Sequence, residues 1–413
     1  MDYEKLINCM RCGMCLPHCP TYKETFLETA SPRGRVALAR KFQEGELQIS
    51  DKFLEYLYLC LDCQACASAC PCGVNAGELV AKFKCEKKEG EGLSFMEELI
   101  LRKLLPHPDR LEAATAPLRL YQNSGLQKVV RKLGLLKMFP PKMERMEGLL
   151  PKLPARPLRR TLQEVTPAVG EERGTIGFFL GCVMSLVFSE ASFATVQLLS
   201  RLGYRVITPK AQKCCGAPNV LASDRQGLLD AARFNVDLFG GHELDFIVTD
   251  CGGCGAELKK YGHHLSGDAA AAAFSGKVRD ISQVLLEHRD KLATLLKPLP
   301  LKVTYHDPCH IAHCQGIRQE PRALIKLIPG LEYSELHEAD SCCGSGGTYN
   351  MEKPEMSDRI LQRKIENIRK TGAKYLVTGN PGCLLQLKKA LAEQEPGIRV
   401  IHLTELLAIS MGT

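Results

Sequence analysis

The chain has 413 residues, of which 45% are hydrophobic and 24% are charged, and its formal net charge is +7. This length favours two or three domains over one core, and the composition is that of a folded protein, which excludes a disordered chain. Apolar runs stay short of the roughly 18 residues that a membrane-spanning helix needs, and the start MDYEKLINC lacks the layout of a signal peptide, so we expect a cytoplasmic protein.

Two cysteine runs stand near the start, each spaced C-x2-C-x2-C-x3-C and followed by a proline. In a reducing compartment, the 20 cysteines of the chain favour metal binding over disulfides. The spacing is typical of two-cluster ferredoxins, in which the fourth cysteine of each run binds the other run's cluster. We therefore predict two 4Fe-4S clusters, one held by Cys9, Cys12, Cys15 and Cys70 and the other by Cys60, Cys63, Cys66 and Cys19. Zinc is the alternative, although this spacing does not suit a tetrahedral zinc ion.

Between the two runs, Ser31 and Pro32 predict the start of a helix, as an N-cap residue followed by proline at the first helical position. Arg33 and Arg35 lie on this helix. Next to an anionic cluster they would favour its reduced state. The alternative is that they belong to an exposed basic face.

A basic segment follows, from Glu97 to Arg160, with 14 lysines and arginines against 6 aspartates and glutamates. We interpret it as a helical connector. Its charge could bind an acidic partner subunit or an anionic membrane surface at the inner face of the membrane, or it could be solvated. It lacks the aromatic interleaving of a nucleic-acid-binding segment, so we expect no nucleic-acid partner.

Beyond residue 173, strands and helices alternate, which predicts an α/β fold with mostly parallel sheets. The same order then recurs, and VTDCGGCGAELKK aligns without a gap with VTGNPGCLLQLKK. The predicted elements are Thr175–Leu180, Val187–Leu202, Tyr204–Thr208, Gly227–Phe239 and Asp245–Thr249, and then Leu301–Tyr305, Pro321–Ile328, Leu331–Leu336, Asp358–Lys370 and Lys374–Thr378. The predicted domains are a ferredoxin-like module (1–95), the connector (96–172), a first lobe (173–298) and a second lobe (299–413).

Cysteines occur at equivalent places in the two lobes, where they are expected to converge at the carboxyl ends of parallel strands. The alignment puts Asn380 opposite Cys251, so the second lobe has one cysteine fewer. The predicted metal ligands are Cys182, Cys214, Cys215, Cys251 and Cys254 in the first lobe, and Cys309, Cys342, Cys343 and Cys383 in the second.

The segment HDPCHIAHC surrounds Cys309 with His306, His310, His313 and Cys314. One of these residues could be a metal ligand or a hydrogen-bond donor to cluster sulfur. We favour the simpler interpretation, polar residues in a turn at the end of a strand. Cys72 and Cys85 fall outside every pattern and are predicted to be unligated.

This arrangement resembles the cysteine-rich CCG domain of the heterodisulfide reductases, which implies a non-cubane 4Fe-4S cluster held by five cysteines. The first lobe has all five. Four thiolates in the second lobe suffice for an ordinary cubane or for zinc. We therefore expect a further iron-sulfur cluster, or zinc, in the CCG domain.

Taken whole, the chain resembles the iron-sulfur subunit of glycolate oxidase, a family that includes subunits of two-component D-lactate dehydrogenases. The resemblance rests on the paired cysteine runs, SPRGR, CLDCQACASACP, GAPNV, CCGSGGTYN and NPGC. It implies an electron-transfer subunit without catalytic residues of its own. It also implies a partner subunit that oxidises a 2-hydroxy acid on FAD, and a downstream carrier such as a quinone or an electron-transfer flavoprotein. No glycine-rich dinucleotide fingerprint opens a βαβ unit in this sequence.

Three other functions stay open at this stage. One is a catalytic subunit of the heterodisulfide reductase type, which reduces a disulfide at the CCG site, although Asn380 argues against it. Another is the third subunit of anaerobic glycerol-3-phosphate dehydrogenase, which has a similar domain order. The last is a non-redox platform in which the CCG domain holds zinc.

Overall fold

The computed structural model describes residues 3–138, 147 and 151–412. Its N-terminal module is helical throughout, and the helix predicted at Ser31 and Pro32 is confirmed, since the Ser31 hydroxyl accepts a hydrogen bond from the Gly34 amide at 3.0 Å. The helices span Tyr3–Ile7, Pro20–Thr25, Pro32–Gln43, Asp51–Tyr58, Ala65–Ser68 and Ala76–Glu91. A cluster of three aromatic rings, Phe42, Phe53 and Phe83, holds the longest of these helices together, with ring centroids 5.5–5.9 Å apart.

The basic segment packs against the first lobe. Arg159 and Arg160 bind Glu112 at 2.6 Å and 2.5 Å, and Arg102 binds the buried Asp224 at 2.8 Å, so internal ion pairs neutralise part of its charge. Residues 139–146 and 148–150 of this segment lie outside the described residues. The described part forms helices at Phe95–Glu98, Pro108–Asn123, Leu126–Lys132 and Leu158–Thr161, and a π-helix at Leu99–Leu104.

The first lobe contains a five-stranded sheet in the order β1-β3-β2-β4-β5, in which only β1 is antiparallel to its neighbour. The strands are β1 Val165–Thr166, β2 Gly174–Phe178, β3 Tyr204–Ile207, β4 Phe246–Thr249 and β5 Val278–Asp280. The helices are Cys182–Val187, Ser189–Arg201, Ala217–Leu221, Arg225–Gly240, Gly252–Leu258, Tyr261–His264, Ala269–Lys277, Ile281–Glu287 and Arg289–Leu295.

The second lobe has a fully parallel sheet in the order β7-β6-β8-β9, which repeats the order β3-β2-β4-β5 of the first lobe. The predicted duplicated α/β fold is therefore confirmed. The strands are β6 Lys302–Tyr305, β7 Glu332–Tyr333, β8 Tyr375–Thr378 and β9 Arg399–His402. The helices are Cys309–Ala312, Gln319–Lys326, Tyr349–Glu352, Pro354–Thr371, Pro381–Gln394 and Leu403–Met411.

Two predicted elements differ from the structure. The helix predicted over 187–202 is observed at Ser189–Arg201. It begins two residues later than predicted, because the backbone at Phe188 leaves the helical region (φ −113°, ψ 44°) and Val187 ends a separate helix. The strand predicted over 331–336 keeps only Glu332 and Tyr333. Just beyond it, the Ser334 amide still donates to the Val303 carbonyl at 2.9 Å, and the exposed carboxylate of Glu335 binds Arg322 at 2.7 Å.

The domains share hydrophobic cores. Helix Ser189–Arg201 packs against helix Leu403–Met411, and one core contains side chains from both lobes. The ferredoxin-like module packs against the second lobe, where Lys23 binds Glu338 at 2.7 Å and the Tyr349 hydroxyl donates to the Leu59 carbonyl at 3.0 Å. In the part of the chain that the structure describes, no helix combines the length and apolarity needed to cross a bilayer.

Candidate metal centres

The second cysteine run lies around a small cavity between the module's helices. Its lining includes Cys60, Cys63 and Cys66 together with Cys19 from the end of the first run. These are the four thiols that the sequence assigns to one cluster. The structure brings them together, and their ligation of a cluster stays a prediction.

Arg35 lines the same cavity and is only 3% exposed. Its guanidinium lies 3.8 Å from the Cys19 sulfur and donates to the Thr21 hydroxyl at 2.9 Å and to the Tyr56 carbonyl at 3.1 Å. Arg33 instead forms a partly exposed ion pair with Glu28 at 2.7 Å. The two arginines therefore have different environments: the guanidinium of Arg35 is buried beside Cys19, whereas the partly exposed Arg33 lies near Cys15 of the other set.

The other predicted set is more open to solvent. Cys12 is exposed, whereas Cys9, Cys15 and Cys70 are partly buried. The Cys70 sulfur accepts a hydrogen bond from the Val74 amide at 3.3 Å, and burial raises the pKa of the Cys15 thiol, which also feels the charge of Cys9. A common site for these four cysteines stays a prediction.

In the first lobe, the five predicted thiols form a connected row. Cys182, which begins the helix after β2, has its sulfur 3.7 Å from that of Cys214. Cys215 lies between Cys214 and Cys254, and hydrogen bonds from these two thiols lower its pKa. Cys251 caps helix Gly252–Leu258 with its sulfur, which accepts the Cys254 amide at 3.4 Å.

A steric constraint explains why glycine follows each cysteine pair. Gly216 and Gly344 both have left-handed backbones, with φ of 87° and 88°. A Cβ atom at Gly216 would lie 2.5 Å from Leu228, and one at Gly344 would lie 2.7 Å from the Ser357 carbonyl oxygen. Only glycine fits, so each CCG turn presents its two cysteines in the same way.

In the second lobe, the four predicted thiols also come together. The Cys343 and Cys383 sulfurs are 3.4 Å apart, and the Cys342 sulfur accepts the Gly344 amide at 3.4 Å. Cys309 begins the helix after β6, as Cys182 does after β2, and its sulfur lies 3.4 Å from a ring nitrogen of His310. Both lobes' inner cysteines belong to one hydrophobic core.

The histidines of HDPCHIAHC have separate roles. Both nitrogens of His313 are engaged, one with the Ser68 hydroxyl at 2.9 Å and the other with the Asp340 carbonyl at 2.9 Å. His306 is fully buried, and one of its ring nitrogens lies within 4.8 Å of the Cys343 and Cys383 sulfurs. Burial lowers the pKa of His306 well below its usual value, so the ring is neutral. Its position at the end of β6 was the sequence signal that could have singled it out.

Asn380 connects the two cysteine sets. Its side-chain oxygen accepts the Gly253 amide at 2.9 Å and lies 4.0 Å from the Cys251 sulfur, while its side-chain nitrogen lies 3.8 Å from the Cys383 sulfur. The residue that replaces the fifth cysteine of the second lobe therefore contacts a cysteine of each lobe.

The ferredoxin-like module reaches the second lobe through Cys63. This residue shares a small hydrophobic core with Cys342, and Cys309 packs against it. Burial raises the pKa of the Cys63 thiol well above its usual value, and the nearby Cys342 and Cys309 raise it further. No sequence pattern indicates this contact, which joins residues more than 240 positions apart.

A second cavity opens beside the first lobe's thiols. Cys182 and Cys214 line it on one side, and Leu105, Leu111 and Arg159 of the basic segment line it on the other. The segment therefore covers the first lobe's cysteines, which is more than a simple connector does.

The donor sets fit iron-sulfur clusters or zinc. Neighbouring sulfurs lie 3.4–3.7 Å apart, close to the about 3.8 Å expected for two thiolates on one tetrahedral ion with bonds of about 2.3 Å. Ionising so many buried thiols is costly unless a cation is present. The thiols of both lobes therefore fit a metal, and that they bind one stays a prediction.

Comparison with known proteins assigns families to most of the chain. Residues 5–74 match the "4Fe-4S dicluster domain", residues 92–150 match "Glycolate oxidase iron-sulfur subunit, linker region", and residues 176–259 and 303–388 each match "Cysteine-rich domain". The predicted order of a dicluster domain followed by two CCG units is confirmed.

Full-length relatives extend this result. The chain is 38% identical to a "Probable glycolate oxidase iron-sulfur subunit" of Bacillus subtilis, over 100% of this chain and 95% of that protein. It is 29% identical to the "Glycolate oxidase iron-sulfur subunit" of Escherichia coli, over 92% and 89%. It is 30% identical to one subunit of the "Fumarate reductase (CoM/CoB)" of Methanothermobacter marburgensis, over 98% and 72%.

Proposed function

We propose that this chain, which belongs to the family of the glycolate oxidase iron-sulfur subunits, carries electrons from a partner flavoprotein to a downstream acceptor. The partner oxidises a 2-hydroxy acid, glycolate or D-lactate, on FAD, and this chain holds the one-electron carriers. The observation that carries the proposal is the contact of Cys63 with the core around Cys342, because it joins the ferredoxin-like module to the CCG domain.

Four groups of residues hold the carriers in this proposal. Iron-sulfur clusters supply one-electron transfer when bound. Cys9, Cys12, Cys15 and Cys70 hold the first, and Cys19, Cys60, Cys63 and Cys66 hold the second. The thiols of the two lobes hold further metal, which we take to be iron-sulfur in both. The number of clusters and their types are part of the proposal.

The contacts support one order for the path. Cys63 lies beside Cys309 and Cys342, so the ferredoxin-like module meets the second lobe before the first. Asn380 then contacts Cys383 on one side and Cys251 on the other. The second lobe therefore lies between the module and the first lobe.

The cavity beside Cys182 and Cys214 supports the first lobe as the exit to the acceptor. Its lining combines apolar side chains of the basic segment with Lys213 and with Arg159, whose charge is paired with Glu112. Apolar walls with a few polar groups are typical of small-molecule sites. The cavity is small, so a quinone or an electron-transfer flavoprotein would bind at its mouth.

The test is reduction by substrate. The chain is co-purified under anaerobic conditions with its partner flavoprotein, and glycolate or D-lactate is added without an acceptor. We expect the iron-sulfur absorption to bleach together with the flavin. Reduction of the flavin alone, with the iron-sulfur absorption unchanged, would overturn the proposal.

A disulfide reductase is the second candidate, favoured by the cavity that opens on Cys182 and Cys214. The relative from the "Fumarate reductase (CoM/CoB)" covers nearly the whole chain. The same preparation distinguishes the two functions. A disulfide such as that of coenzymes M and B, added to the reduced protein, should leave the clusters reduced under the first proposal and reoxidise them under the second.

A further inference from the structure

His306 and Phe179 occupy the same position in the two lobes. In the first lobe, the Phe179 amide donates to the Val248 carbonyl at 2.8 Å; in the second, the His306 amide donates to the Val377 carbonyl at 2.9 Å. The strands before them also pair in the same register, Phe178 with Val248 and Tyr305 with Val377. An apolar ring in the first lobe is therefore replaced by an imidazole in the second.

A second exchange accompanies this one. Asn380 stands where the first lobe has Cys251, and its side-chain oxygen is directed at the first lobe, where it accepts the Gly253 amide. The second lobe thus loses one sulfur and gains one imidazole. Both lobes then have five donors of the kinds that bind iron.

The orientation of His306 is that of a metal-bound histidine. The carbonyl of Ala339 can only accept, so Nδ1 donates its hydrogen to it at 3.1 Å. Metal-bound histidines usually donate their other ring N–H in this way, which fixes the tautomer. The lone pair of Nε2 is then left for a ligand.

Nothing else in the described part of the chain uses that lone pair. Nε2 is fully buried and has no hydrogen-bond partner there, although such a group normally finds one. One ring nitrogen of His306 lies within 4.8 Å of both the Cys343 and Cys383 sulfurs, which are themselves 3.4 Å apart. The orphaned atom therefore belongs to a ring that lies beside the predicted metal ligands.

We propose that Nε2 of His306 is the fifth ligand of an iron-sulfur cluster in the second lobe, beside Cys309, Cys342, Cys343 and Cys383. A neutral nitrogen in place of a thiolate leaves the site less negative. The second lobe therefore has a higher reduction potential than the same site with five cysteines. This inference rests on the proposed iron-sulfur role of the second lobe.

The test detects nitrogen bonded to iron. The full chain is produced with 15N-labelled histidine, and pulsed EPR is recorded in the paramagnetic state of the second lobe's cluster. We expect a strong 15N hyperfine coupling in the wild-type protein, and its loss in His306→Phe, which places the first lobe's own residue at this position. His313→Asn is the matched control and should keep the coupling, because both His313 nitrogens are already hydrogen-bonded.

A second variant distinguishes the loss of a ligand from a folding defect. His306→Cys restores a thiolate, so it should keep the iron of the second lobe, lose the 15N coupling and lower the potential. Absence of histidine coupling in the wild-type protein, as for zinc or for all-cysteine ligation, would overturn the assignment. So would an unchanged coupling in His306→Phe. If substrate still reduces the clusters in that case, the proposed electron-transfer function stands without this ligand.

Discussion

The two lobes have the same strand order, the same register and the same steric need for glycine after the cysteine pair, but they differ where metal would bind. The first lobe has Cys251 and Phe179, and the second has Asn380 and His306. Their coverings differ too, since the basic segment lies over Cys182 and the ferredoxin-like module lies against Cys342.

The predicted ligand set therefore differs between the two lobes although their scaffold is the same. The sheets fix where five donors converge, so one donor can move from the loop after β8 to the end of β6 without altering the fold. A site with a nitrogen donor has the higher potential and so accepts electrons readily from the module. Transfer from it to the all-cysteine site is uphill, so an acceptor at the open cavity beside the first lobe has to draw the electrons onward.

The largest effect is expected when the metal of one lobe is removed. Cys215→Ser takes away the central thiol of the first lobe, so metal affinity there should fall roughly 100-fold or more. Iron analysis should show loss from this lobe, and electron delivery to the acceptor should fall in proportion. Cys85→Ser, a cysteine outside every set, is the control. Full iron content in Cys215→Ser would contradict the proposed metal site of the first lobe, and the two lobes could then not be compared as metal sites.

A smaller effect is expected when the second lobe is made more like the first. Asn380→Cys should raise metal affinity in the second lobe about 10-fold and lower its reduction potential, because it adds an anionic ligand. Metal competition and potentiometry measure the two quantities. Asn380→Ser removes the amide without adding a strong ligand, so it should show neither the higher metal affinity nor the lower reduction potential. Equal potentials in Asn380→Cys and the wild type would contradict the proposed difference in ligand sets.

A modest effect is expected in the ferredoxin-like module. Arg35→Met removes the buried positive charge 3.8 Å from the Cys19 sulfur, so the reduced cluster is stabilised less and its potential falls. We expect a shift below about 59 mV, which is tenfold for one electron. Potentiometric EPR measures it. Arg33→Met is the matched control for this cluster, because Arg33 pairs with Glu28 and lies near Cys15 of the other set; the same shift of this cluster's potential in both variants would remove the distinction between them.

The smallest effect concerns the covering of the second lobe. Tyr349→Phe removes the hydrogen bond to the Leu59 carbonyl and should destabilise the docked module by about 1 kcal/mol. Hydrogen exchange should rise in residues 59–66. In the control Tyr204→Phe, the lost bond to His288 lies in the first lobe, so exchange at residues 59–66 should stay at the wild-type rate.

Much of the fold followed from local signals. Short apolar runs that alternate with helical segments predicted β2, β3, β4, β6 and β8, because a buried parallel strand is nearly continuous in apolar residues. The short edge strand β7 was predicted too long, because it pairs only with β6 and no local pattern marks where that pairing ends.

The sequence assigned the cysteines to ligand sets, but it could not show which sets lie next to each other in the fold. Spacing alone assigned Cys19 to the thiols of the second run, and the structure places these four around one cavity. The proximity of Cys63 to Cys342 depends on the packing of two domains, which motif spacing does not encode. The sequence favoured a polar turn residue at His306, because its orphaned Nε2 is visible only in three dimensions.

The most direct test asks whether the second lobe lies between the ferredoxin-like module and the first lobe. In the complex with its flavoprotein, Cys343→Ser removes the metal of the second lobe, and freeze-quench EPR follows the clusters after 2-hydroxy acid is added without an acceptor. We predict that the clusters of the N-terminal module are reduced at the wild-type rate while the first lobe stays oxidised. Reduction of the first lobe at the wild-type rate would contradict this order.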